Sequence, residues 1–356
     1  MDNCFSFHEL KTLTKKFLWL KALSLEDSKE LTEFSSAWWC HGRHSQTIWR
    51  RVFGKTPTVN IQRERWKTPD DDFLDLDFTE TNHPKTENIK TPTILLLHGL
   101  EGSSRAKYVL GMLKWVTQLG WRGVALNFRS CSGEINRQKR FYHSGETTDL
   151  KWVVGQLIKR FPNSPFFLIG FSLGGNVLIK WLGEEGKKVP PQVQGATAIS
   201  VPFDLAVAAR RIDQGFNRIY GSVFLKTLRE KTLAKERKYP GLVDPKQVSK
   251  IFSFAQFDNE VTAPIHGFKD GKDYWVSSSS MGFLGEVQVP TLLISAQDDP
   301  FLPTSYLPRK VIEQSKWLTG CFPSKGGHVG FVEGRSPWGV SYWSESKTFS
   351  FISDFV

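Results

Sequence analysis

The stretch Pro165–Asn176, PFFLIGFSLGGN, decides the reading of this chain. PFFLIG (Pro165–Gly170) is a short apolar run ending in glycine, which predicts a buried strand. Gly175–Gly183 opens a helical pattern. Between them stands Gly170-Phe171-Ser172-Leu173-Gly174-Gly175, a G-x-S-x-G sequence in strand–turn–helix context. A turn this sharp strains the serine backbone, and flanking glycines let neighbouring backbone come close. The Ser172 hydroxyl is therefore expected at the C-terminal edge of a sheet, beside a helix N-terminus. A Gly/Ser-rich turn alone would carry little meaning; the flanking pattern makes Ser172 a candidate nucleophile.

Outward from this point, residues 91–205 read as repeated strand–helix units. Ile94–Gly99 (ILLLHG), Gly123–Phe128 and Ala196–Val201 are further strands, with helical patterns near Tyr108–Leu119 and Asp149–Phe161. Such alternation predicts a mostly parallel sheet with helices on both faces. Upstream, Leu74, Leu76 and Phe78 alternate with Asp75 and Asp77, which predicts a half-buried, antiparallel strand. Residues 206–290 break the rhythm with a basic helical part, Arg210–Lys238, and a loop-like remainder. An excursion that long is expected to be an inserted cap. Strands resume at Thr291–Ala296, and a final αβ segment runs to Val356. The expected division is an N-terminal extension over 1–35 and one domain over 36–356, with 206–290 inserted in it.

A serine hydroxyl is a weak nucleophile and needs a base, which in turn needs an orienting acid. In this architecture the acid and then the histidine follow the serine in the chain. Only His266 and His328 lie downstream of Ser172. His328 sits in GGHVGF near the C-terminus, where glycines let a loop carry an imidazole over the turn. His266 falls in the expected cap, with a role in packing or substrate contact. Asp298 and Asp299 follow the strand at Thr291–Ala296. The spacing to Pro303 favours Asp299 as the acid and leaves Asp298 a structural role, and the choice stays open at this point. An oxyanion needs two preorganised N–H donors. Leu173, directly after the serine, and Leu100, after His98-Gly99, are the expected ones. His98 precedes the serine and reads as a structural hydrogen bonder.

LLHGLEGSS (96–104), NFRSCSGE (127–134), YHSGETTDL (142–150), GFSLGGN (170–176), FDNEVTAP (257–264) with GF (267–268), DDPF (298–301) and GGHVGF (326–331) together resemble the YheT-like α/β-hydrolases. HSQT (44–47) resembles that family's Q-T element. The resemblance runs from about Trp38 to the C-terminus. It implies an α/β-hydrolase fold and carboxylic ester hydrolysis, with Ser172 as nucleophile, His328 as base and one of Asp298 and Asp299 as acid. Ser130 stands where the family usually has glycine. Arg129 and Glu134 are expected to pair behind the site or to touch substrate. His143 and Glu146 fall short of a metal ligand set, Asp149 reads as part of a helix start, and Cys131 as a packed thiol.

Composition narrows the function without naming it. The chain has 356 residues, 40% hydrophobic and 23% charged, which excludes a disordered or fibrous chain. Four cysteines (Cys4, Cys40, Cys131, Cys321) without a CxxC pair read as free thiols in a reducing, cytoplasmic compartment. The net charge of +11 permits contact with an anionic membrane, but no nucleic-acid motif accompanies it. Phe7, Leu10, Leu13, Phe17 and Leu20 recur at helical spacing within Met1–Leu25, an amphipathic pattern that fits packing on the domain or peripheral membrane contact. Trp38, Trp39 and Trp49 are expected to pack on something.

The resulting expectation is a serine esterase acting on small-molecule esters through an acyl-enzyme, with no metal or organic cofactor. Cap aromatics (Phe216, Tyr220, Phe224, Phe252, Phe254, Phe257) favour a medium- or long-chain, lipid-like acyl group. Two rivals are acyl transfer to an alcohol or lipid, and a non-catalytic binding protein of the same fold.

Overall fold

The computed structural model describes residues 34–80 and 90–356. Cys4 and the amphipathic pattern within Met1–Leu25 lie outside the described residues. Among the described residues the main sheet has eight strands: β1 (Ile61–Lys67), β2 (Phe73–Thr79), β3 (Thr93–Leu97), β4 (Arg122–Asn127), β5 (Phe166–Phe171), β6 (Val193–Ile199), β7 (Thr291–Ile294) and β8 (Leu318–Cys321). Their order is β1-β2-β4-β3-β5-β6-β7-β8. β2 runs antiparallel to β1 and β4, and β3 to β8 pair in parallel.

Alternation along the buried strands builds two cores. Leu95, Leu97, Val124, Leu126 and Leu168 face one side, where helices Thr148–Arg160 and Leu173–Glu185 supply Leu150, Val153, Leu157, Val177 and Leu178. Ile94, Leu96, Ala125, Phe167 and Ile169 face the other, covered from helices Lys107–Gln118 and Trp343–Ser353 by Met112, Leu113, Val116 and Phe349. Each of these Val, Leu, Ile, Met and Phe side chains gains about 1.5–3 kcal/mol on burial. These strands read as unbroken apolar runs because both faces are covered.

β2 departs from its expected half-burial, since Asp75 and Asp77 are buried as fully as Leu74 and Leu76 beside them. The cause is β1, which the sequence reading did not find. Arg63 and Arg65 stand in register opposite Asp77 and Asp75, and each grips its carboxylate through two hydrogen bonds of 2.8 Å. Bidentate pairs of this kind satisfy a buried carboxylate.

Arg129, just past β4, does not pair with Glu134; the latter bonds Arg65 instead. The fully buried Arg129 guanidinium takes Asp72 at 2.7 Å and both oxygens of Asp149 at 2.7 Å. Burial alone would lower the Arg129 pKa, but the Asp149 and Asp70 carboxylates outweigh it and hold it raised. Asp149 stands, as expected, in the first turn of the helix Thr148–Arg160, and Glu146 caps that turn by accepting from the Thr148 and Asp149 amides. Arg129→Leu strands two buried carboxylates, so it is expected to cost about 3–5 kcal/mol of stability. Denaturant melts of the two proteins check this.

Between β6 and β7 the loop-like remainder is in fact largely helical: Pro245–Lys250, Phe254–Phe257, Ala263–His266 and Gly271–Ser278 follow the long helix Asn217–Lys238. Phe141, Leu225, Leu228, Ile251, Phe254 and Phe257 give these helices a core of their own. Trp39 and Trp49 pack together at 4.4 Å, whereas Trp38 stays 71% exposed. Among the described residues no helix is long and apolar enough to cross a membrane.

Candidate active site

Ser172 follows directly on β5 with φ 51° and ψ −118°, a conformation sparsely populated by residues with a Cβ. A Cβ at Gly170 would lie 2.6 Å from the Gly174 carbonyl oxygen, so the turn closes only with glycine there. The helix Leu173–Glu185 starts at once, placing Ser172 Oγ at a helix N-terminus.

His328 Nε2 lies 2.9 Å from Ser172 Oγ, and His328 Nδ1 lies 2.8 Å from Asp299 Oδ2. The structure therefore brings these three side chains into one hydrogen-bonded line. Asp299 is buried, and its Oδ1 accepts from the Phe301 amide at 2.8 Å, which fixes the carboxylate plane. Asp298 points elsewhere: its Oδ1 accepts from the Gly327 amide at 2.9 Å, beside His328. Burial raises the Asp298 pKa, opposed by that amide.

Sequence reading missed how the histidine loop is held. The His328 amide donates to Thr47 Oγ1 at 2.9 Å and the Val329 amide to Ser200 Oγ at 2.9 Å. Buried Gln46 bonds the Val332 amide at 2.7 Å and the Val332 carbonyl at 3.1 Å. The QT pair thus reaches across more than 280 residues to brace the loop. Its presence in HSQT was the only signal, and it carried no hint of the partner. Gly327, at φ 59°, lets this loop pass against the Arg43 carbonyl.

On the opposite side, Gly99–Gly102 forms a tight turn closed by the Gly102 amide on the Gly99 carbonyl at 3.0 Å. Among the described residues neither the Leu100 nor the Leu173 amide has a protein acceptor, and both residues line the cavity that holds Ser172 and His328. His98 lies behind, with Nδ1 2.7 Å from the Gly99 carbonyl and Nε2 accepting from the Phe128 amide. Burial pushes its pKa down to about 4. Cys131 is buried and its thiol pushed up to about 11 by burial. The His143 ring packs tilted against that of His266, their centroids 4.5 Å apart, and burial lowers the pKa of each to about 3.

The cavity measures about 790 Å³. Phe141, Tyr220, Phe224, Phe254, Phe257 and Phe301 give it apolar walls. Phe216 and Phe252, expected among them, are instead exposed at 55% and 71%. In the basic helix Asn217–Lys238, Lys235 is buried and donates to the Asn136 carbonyl at 2.9 Å, with its pKa lowered by burial to about 8.

The model of the alpha/beta hydrolase fold family matches residues 92–335. The chain is 35% identical to YheT of Escherichia coli (strain K12), over 88% of its own length and 91% of that protein. It is 31% identical to phospholipase ABHD3 of Mus musculus, over 85% of this chain and 74% of the other. Among solved structures, the esterase PF2001 of Pyrococcus furiosus superposes with a TM-score of 0.52 at 16% identity, covering 83% of this chain and 91% of that one.

Proposed function

Because the chain belongs to the alpha/beta hydrolase fold family, in its YheT-like branch, and is a carboxylic ester hydrolase, we propose that Ser172, His328 and Asp299 carry its reaction. The single observation behind this is the line Asp299–His328–Ser172, closed by contacts of 2.8 and 2.9 Å. His328 Nε2 takes the hydroxyl proton as Ser172 Oγ attacks the ester carbonyl. Asp299 holds the imidazole in the required tautomer and stabilises its charged form. The Leu100 and Leu173 amides, held in place before the reaction, receive the oxyanion. The tetrahedral adduct expels the alcohol, which leaves with the proton from His328. Water, deprotonated by the same imidazole, then attacks the acyl-enzyme and releases the acid.

The helices over 206–290 serve as the cap, and they shape a cavity suited to a medium- or long-chain acyl group of a lipid-like ester. Exposed Phe216, Ile219 and Val223, the last two on the cavity wall, favour an apolar substrate approaching from that side, including from an anionic membrane surface. The described cysteines Cys40, Cys131 and Cys321 are free thiols, which accords with a cytoplasmic setting.

The test is hydrolysis of p-nitrophenyl esters from acetate to palmitate, with product analysis in the presence of an added alcohol. Each methylene buried in the cavity contributes about 0.8 kcal/mol, so kcat/KM is expected to rise up to about fourfold per CH2 until the cavity is full. A flat or falling profile would remove the lipid-like reading. Ester accumulation with the added alcohol would mark acyl transfer in place of hydrolysis.

A further inference from the structure

The turn that presents the Leu100 amide contains an oddity. Glu101, its third residue, has φ 52°, a left-handed conformation that this kind of turn usually reserves for glycine. Something must hold a glutamate there, and three contacts do. The Glu101 amide donates to Tyr142 Oη at 2.8 Å, and Tyr142 Oη donates back to Glu101 Oε1 at 2.7 Å. The same Oε1 takes Lys231 Nζ at 2.8 Å. Tyr142 is itself fixed by stacking on Phe128 at 5.6 Å and 7°. The Glu101 side chain is 6% exposed and that of Lys231 25%, so the pair is shielded from solvent.

Lys231 lies in the long helix Asn217–Lys238, far along the chain from the turn. Resting on the reading that the Leu100 amide is an oxyanion donor, we propose that Lys231 is a positioning residue for that amide. The ion pair Lys231–Glu101 ties the helices that roof the acyl cavity to the turn that stabilises the transition state. Tilting the roof and moving the donor are thereby one motion. Nothing in this role requires Lys231 to touch substrate.

The experiment is steady-state kinetics on p-nitrophenyl butyrate with Lys231→Met, Lys231→Arg, Glu101→Gly and the double variant Lys231→Met/Glu101→Gly. Losing an oxyanion donor outright costs ~10²–10³ in kcat, and a displaced one less, about tenfold. Lys231→Met is expected to lower kcat about tenfold with KM within about twofold of wild type. Lys231→Arg, which keeps a charged donor, recovers most of that loss. Glycine accepts φ 52° without strain, so in the Glu101→Gly background Lys231→Met changes kcat no further. A purely structural lysine would instead raise KM, or show the same loss in both backgrounds, and either result overturns the inference while leaving the hydrolase reading intact. A wild-type protein inactive on the whole ester series overturns both. If Lys231→Met does not fold, Glu101→Gln removes the ion pair while keeping shape and carries the same comparison.

Discussion

Ser172→Ala is expected to lower kcat by about 10⁶-fold and leave the fold unchanged. The substitution removes one oxygen from a residue whose backbone geometry is set by Gly170, Gly174 and the start of the helix Leu173–Glu185. Its φ of 51° is borne by an alanine as by a serine, since both carry a Cβ. The nucleophile alone is lost. What remains is binding in the cavity and the two amides at Leu100 and Leu173, which together leave ~10³–10⁴ of acceleration over water. His328→Ala should fall to a similar level, and the double variant Ser172→Ala/His328→Ala no further, because the residues act as a unit. Circular dichroism and thermal melts should match wild type for Ser172→Ala. Activity within about tenfold of wild type would show that the acyl group is not carried on this oxygen.

The second large effect separates two adjacent carboxylates. Asp299→Asn should cost about 10⁴ in kcat, whereas Asp298→Asn should cost less than about tenfold. Asp299 Oδ2 meets His328 Nδ1 at 2.8 Å. An amide there can turn its NH2 toward Nδ1, which forces the proton onto Nε2, and that nitrogen then cannot take the proton of Ser172. The Phe301 amide on Oδ1 supports this choice, since it needs an acceptor and leaves the NH2 facing the histidine. Asp298 accepts from the Gly327 amide, and an asparagine carbonyl can do the same. Equal losses at the two positions, or the reverse order, would reassign the acid.

How far the sequence reveals this molecule depends on the range of each interaction. β3 and β5 and the helices that cover them are local in origin: runs such as ILLL and FFLI have nowhere to lie except a sheet covered on both faces. The turn at Ser172 is equally local, for its glycines and its place between strand and helix are contiguous. His328 and the aspartates could be named from chain order. β1 could not, because IQRERWK looks solvent-facing until Asp77 and Asp75 stand opposite its arginines. Helices of four to six residues, such as Phe254–Phe257, are too short to show a period. Thr47, Ser200 and Glu101 gain their roles wholly from partners distant in the chain. A hydroxyl that braces a loop amide has the same sequence signature as one in water.

The most direct measure of Ser172 as the acyl carrier is covalent labelling by a fluorophosphonate probe, followed by peptide mass spectrometry, on wild type and His328→Ala. One phosphonylated residue, Ser172, is expected in wild type, with labelling at least about 10³-fold slower in His328→Ala. A wild-type protein that hydrolyses esters while Ser172 stays unmodified would contradict that role.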